Sequence, residues 1–93
     1  MFVLHVILRI KAGHQEALEN VYTGPFRAAI SRQDGFRDVA LLRPQEKDEP
    51  ILSIRFENQP LQQKWVATDL HSEVWSAMEA HLDGYSLAPY TTV

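Results

Sequence analysis

From Phe2 to Ile10 almost every position is apolar, and the run is rich in Val, Ile, Leu and Phe, so it reads as a first strand. Lys11-Ala12-Gly13 ends it. Apolar residues then return at helical spacing from His14 to about Arg32, at Leu18, Val21, Tyr22, Pro25, Ala28 and Ala29. Within that helix Gly24-Pro25 predicts a kink or short break, because Pro25 has no N–H to donate and restricts the residue before it. Gln33-Asp34-Gly35 is a turn into a second strand, Phe36 to Arg43, and the polar stretch between Pro44 and Pro50 is a solvated hairpin loop. Ile51 to Glu57 is a third strand. Asn58 or Gln59 caps a helix that has Pro60 in its first turn, and Thr68-Asp69 caps again. These two signals predict helices over 60–67 and 70–82, with Asp83-Gly84 as the stop. Tyr85 to Thr92 is the last strand, and Pro89 marks an edge or bulge position in it.

That order, βαββαβ, is the ferredoxin-like plan: an α+β fold with a four-stranded antiparallel sheet, expected here as one domain over residues 1–93. Strand parity adds a second expectation. Phe2, Leu4, Val6, Leu8 and Ile10 point one way and Val3, His5, Ile7 and Arg9 the other, while Phe36, Ala40 and Leu42 oppose Val39 and Leu41. Strands apolar on both faces belong to sheets covered on both sides. Two helices on short connections cover one face only, and a bare apolar face is unusual in a monomer. A homodimer joined through the helix-free faces, burying Val3, Ile7, Val39 and Leu41, is therefore expected; the alternative is a monomer with a mildly apolar open face.

Composition narrows the partners. A net charge of -3 disfavours a nucleic-acid partner, whose phosphates call for clustered Lys and Arg. No apolar run approaches the roughly 18 residues of a membrane span, and Met1-Phe2-Val3-Leu4 lacks the basic region of a secretory signal, so a cytoplasmic location is expected. With no cysteine there is no thiolate catalysis and no Cys-ligated metal. No two histidines stand at zinc-motif spacing, so no metal centre is expected, and no glycine-rich phosphate loop or Gly-x-Ser-x-Gly elbow occurs. The βαββαβ order would suit an RNA-recognition module, but Ile51-Leu52-Ser53-Ile54-Arg55-Phe56-Glu57 is not the basic aromatic octamer such a module needs.

One histidine stands out. His71 shares a helix face with Trp75 and Met78, and Trp65 ends the preceding helical segment where it can point at the same space. An imidazole beside indoles and a thioether could be a general base at the lip of an apolar pocket. The plainer reading is core packing with a boundary histidine. His5 falls on the expected dimer face, His14 at an exposed helix start, and His81 near a helix C-terminus, where its proton would suit the dipole.

The whole chain resembles the antibiotic biosynthesis monooxygenase family of dimeric α/β barrels. The matching residues are Lys11-Ala12-Gly13-His14, Asp34-Gly35-Phe36, Arg55-Phe56-Glu57, Trp65 and Thr68-Asp69-Leu70-His71. The resemblance implies a ferredoxin-like subunit with a pocket between the sheet and its own helices, and dimerisation through the opposite faces. Leu4, Val6, Trp65, Trp75 and Met78 are then the expected substrate-contacting residues, with His71 as the catalytic base. Some relatives oxidise phenolic or quinol-like molecules with dioxygen and no metal or flavin, because a deprotonated electron-rich substrate can itself reduce dioxygen. His71 matches a histidine common at the helix turn in such relatives, whereas Trp65 stands where they often carry His. Haem-degrading relatives combine an Asn on the first strand, a Trp on the second helix and a His ten positions later. Here Trp65 fits, but Trp75 replaces the His and Val6 stands near the place of the Asn, which disfavours haem chemistry. The implied function is a cofactor-independent monooxygenase acting on a small aromatic or quinol; the alternatives are a ligand-binding or regulatory dimer and a plain dimerisation module.

Overall fold

The computed structural model describes residues 1–93. Its elements are β1 (Phe2–Ile10), α1 (Gln15–Val21), a π-helical turn (Tyr22–Phe26), α2 (Arg27–Ile30), β2 (Phe36–Leu42), β3 (Ile51–Phe56), α3 (Gln59–Val66), α4 (Asp69–Glu79) and β4 (Leu82–Thr91). The strands form one antiparallel sheet in the order β2-β3-β1-β4, the ferredoxin-like arrangement that the sequence predicts. All helices lie on one face. No helix is long and apolar enough to cross a membrane.

Local chemistry explains the helix ends. The Asn58 side chain accepts a hydrogen bond from the Leu61 N–H at 3.0 Å, with Pro60 in the first turn, and Thr68 accepts from the His71 N–H at 3.0 Å. Gly35 enters β2 at φ +77 with the Leu61 side chain packed beneath it, so a β-carbon there would be strained and would clash. The expected kink at Gly24-Pro25 takes a specific form. One widened turn carries the chain past the missing Pro25 N–H, and the helix resumes as α2. That turn presents Tyr22 and Phe26 to the sheet, and the Tyr22 hydroxyl donates to the Val39 carbonyl at 3.3 Å.

Two expectations are corrected. Val39 pairs with Ile54 and Leu41 with Leu52, the same β3 residues that pair with Leu4 and Val6, so Val39 and Leu41 face the helices. The cause is a register shift between Phe36 and Asp38: the extra residue, Arg37, resets the alternation and puts Phe36, Val39 and Leu41 on one face. The helix-free face instead carries Val3, Ile7, Ala40, Leu42 and Ile51 around His5 and Ser53. Asp83-Gly84 is also not a helix stop. Helix α4 ends at Glu79, and Gly84 lies inside β4 opposite Arg9, whose guanidinium occupies the space a β-carbon would need. Pro89 sits on an edge strand, as its missing N–H requires.

The core lies between the helices and the covered sheet face. Trp65, Phe26, Phe56, Leu8, Leu18, Ile30, Leu52 and Met78 are its largest fully buried side chains. At the β2–β3 end Phe36 meets Phe56 edge to face at 6.0 Å. The core reaches β4 only at Leu82; farther along the strand Tyr85 and Leu87 stay exposed, and the gap there becomes the site.

Candidate functional site

Thr68 fixes the two side chains that define the site. Its hydroxyl donates to the Trp65 carbonyl at 2.8 Å while its oxygen accepts from the His71 N–H. The last turn of α3 and the first turn of α4 are thus tied through one residue, and the Trp65 and His71 rings meet edge to face at 5.1 Å. Trp65 is only 2% exposed and is braced on its other side by Phe26, at 6.5 Å.

These groups form the wall of a cavity of about 460 Å³ between the helices and the sheet, within the range of small-ligand pockets. Leu4, Val6, Leu52 and Ile54 form its sheet side, and Trp75 and Tyr85 meet edge to face at 5.0 Å in the same lining. The structure therefore brings together Leu4, Val6, Trp65, His71 and Trp75.

Met78 does not belong with them. It is fully buried in the core cluster, because seven residues along α4 carry it about 10 Å beyond His71, past the cavity and into the packed interior with Val74.

Within the cavity His71 is half-buried, and its ring nitrogens make no hydrogen bond within the chain. Burial lowers its pKa from the ordinary 6.5. The imidazole is therefore neutral near pH 7, with a lone pair open to a ligand proton.

Three glutamines supply the polar remainder. Gln62 is the one buried polar residue of the chain; its side-chain oxygen accepts from Gln63 Nε2 at 3.1 Å, and its amide nitrogen has no partner in the chain. Gln59 and Gln63 line the wall as well. No Lys, Arg, Asp or Glu does, so the cavity suits a neutral, largely apolar molecule with an oxygen or two to accept amide protons.

Sequence reasoning missed Gln62 and Tyr85. Gln62 stands three residues before Trp65 and so shares its helix face, a signal that was available. Tyr85 pairs with Leu8, which places it on the helix side only once the β4 register is known. Of the other histidines, His5 packs edge-on to Tyr90 on the helix-free face at 5.1 Å. His14, expected to be exposed, is half-buried and faces His81.

The sequence model of one family, antibiotic biosynthesis monooxygenase, matches residues 1–77. No functionally curated protein matches the chain significantly in sequence. Several solved structures superpose closely. A protein from Nitrosomonas europaea, provisionally assigned as an antibiotic biosynthesis monooxygenase, has a TM-score of 0.84 at 14% identity, with 100% of this chain and 99% of that one covered. The heme-degrader MhuD from Mycobacterium tuberculosis, solved with two hemes in its active site, gives 0.79 at 20% identity, covering 100% and 96%. SnoaB, a cofactor-independent oxygenase from Streptomyces nogalater, gives 0.75 at 22% identity, covering 99% and 90%. At these identities the likeness is one of fold.

Proposed function

The chain belongs to the antibiotic biosynthesis monooxygenase family, and from that premise we propose that it is a cofactor-independent monooxygenase acting on a small electron-rich aromatic, a quinol or a related phenol. One observation carries the reading: a neutral, unpartnered imidazole in the wall of an apolar cavity that holds no other titratable group except the Tyr85 phenol. His71 takes the first proton from the substrate, and the Gln62 amide donates to the oxyanion that forms. The carbanionic substrate then passes one electron to dioxygen, and the two radicals combine into a carbon–oxygen bond. The protonated His71 returns its proton to the resulting peroxide. The ring carbon that now bears the peroxide then gives up its own hydrogen as a proton to His71, which breaks the O–O bond and leaves a carbonyl in the product; the departing hydroxide takes that proton from His71 and becomes water. Four electrons leave the substrate and four reduce dioxygen. Leu4, Val6 and Trp75 hold the ring and keep bulk water from the intermediate.

Haem fits this cavity poorly. Its propionates would need cations, and the wall has none. Ten residues after Trp65 stands Trp75, which offers iron no ligand. SnoaB is thus the more useful guide to chemistry than MhuD. An oxygen electrode with a panel of hydroquinones and naphthols tests the proposal: uptake should exceed the uncatalysed blank and be unaffected by a chelator. Ligand-induced thermal stabilisation without uptake would favour the binding-protein reading instead.

The active form in this proposal is a homodimer built on the helix-free faces, within a single domain spanning residues 1–93. Leu42 and Tyr90 on that face are 47% and 54% exposed in the isolated chain, beside Val3, Ile7 and Ile51. Light scattering at low micromolar concentration should return twice the 10.7 kDa chain mass. Ile7→Glu should return the single mass; a wild-type monomer would remove the dimer from the account.

A further inference from the structure

At the end of β1 away from the cavity, the fold assembles a pair of histidines that sequence spacing hides. His14 and His81 are 67 residues apart, yet their Nδ1 atoms lie 3.0 Å from each other. Their backbones are anchored. The His14 N–H donates to the Lys11 carbonyl at 2.9 Å across the turn made by Gly13 at φ +80. His81 donates to the Met78 carbonyl at 3.1 Å, and its own carbonyl accepts from the Lys11 N–H at 2.9 Å. The meeting of the rings therefore follows from the fold.

The local rule is also broken here. His14 holds the N-cap of α1, a position that favours Ser, Thr, Asp or Asn, and its side chain makes no capping hydrogen bond. The imidazole is turned instead to His81. Such departures from local preference concentrate at functional positions.

We propose that His14 and His81 form a two-histidine site for a divalent transition-metal ion, independent of the His71 cavity. Two nitrogens about 2.0–2.1 Å from one ion and at right angles around it lie about 2.8–3.0 Å apart. A tetrahedral ion would require about 3.3–3.4 Å. In the structure the 3.0 Å is the length of a hydrogen bond between the two imidazoles, and one ion can take the place of the shared proton; copper(II) stands highest in intrinsic affinity for such ligands. The ring that now donates through Nδ1 shifts its proton to Nε2, and both Nδ1 lone pairs turn to the ion. No third His, Cys, Asp or Glu side chain is placed to hold a metal ion with them, so water fills the remaining positions.

Copper(II) chloride titration followed by calorimetry and electron paramagnetic resonance tests this site. The wild type should bind one equivalent with the hyperfine pattern of two imidazole nitrogens. His81→Ala and His14→Asn, the latter a better helix cap that preserves the start of α1, should each weaken binding by about 10²-fold, because the second ligand no longer acts intramolecularly. His5→Ala should leave binding unchanged. One-nitrogen coordination in the wild type, or unchanged affinity in both folded variants, would overturn the proposal.

Discussion

Replacing His71 with Ala should lower the rate of oxygen uptake on a quinol by about 10²–10⁴-fold, the range expected for loss of a general base. The thermal midpoint should move little, since the imidazole is half-buried at a cavity wall and makes no hydrogen bond within the chain. In the wild type the rate should be level around neutrality and fall in acid. The proton acceptor must be neutral to act, and burial holds its pKa below 6.5, so the midpoint of the acid limb belongs below that value. The variant should lose this limb along with most of its rate. An unchanged rate, or an acid limb that survives the substitution, would remove His71 from the chemistry.

Trp65→Ala should be the most damaging single truncation to stability, at about 3–5 kcal/mol, as for other core aromatics. Trp65 is 2% exposed, packs edge-on to Phe26, and also supports the ring of His71. Trp75→Ala should do less harm to the fold, because Trp75 is half-buried at the cavity with Tyr85 as its aromatic neighbour, and should show chiefly as weaker ligand binding. Urea denaturation of the two variants separates these roles. A larger loss in Trp75→Ala than in Trp65→Ala would mean that the interior is arranged differently.

What the sequence made legible is what local chemistry controls. The apolar density of Phe2 to Ile10, the turn at Asp34-Gly35 and the caps Asn58 and Thr68 each act within a few residues, and each appears in the structure near its expected place. Helical spacing likewise brought His71 and Trp75 to one cavity. The errors arose where one residue changes the phase of everything after it. Arg37, inserted between Phe36 and Asp38, turned Val39 and Leu41 to the other face of the sheet. Spacing also says nothing about depth along a helix, so Met78 shares a side with His71 yet ends in the core. Gly84 looked like a helix stop because the guanidinium it accommodates comes from Arg9, on a different strand. The His14–His81 pair depends on the turn after β1 meeting the turn before β4, which no short window of sequence contains.

Taken together, Trp65, His71, Gln62 and the apolar sheet face describe a cavity suited to deprotonating an electron-rich ring and shielding it while dioxygen reacts. The other residues of the wall shape the ligand without contributing charge. The most direct measurement is turnover of a hydroquinone or naphthol under ¹⁸O₂ by chelator-treated protein. One labelled oxygen atom in the product, one equivalent of dioxygen consumed, and loss of both in His71→Ala are the results expected. Turnover that ceases on chelation and returns with added iron, or a product oxidised without incorporation of label, would contradict the account.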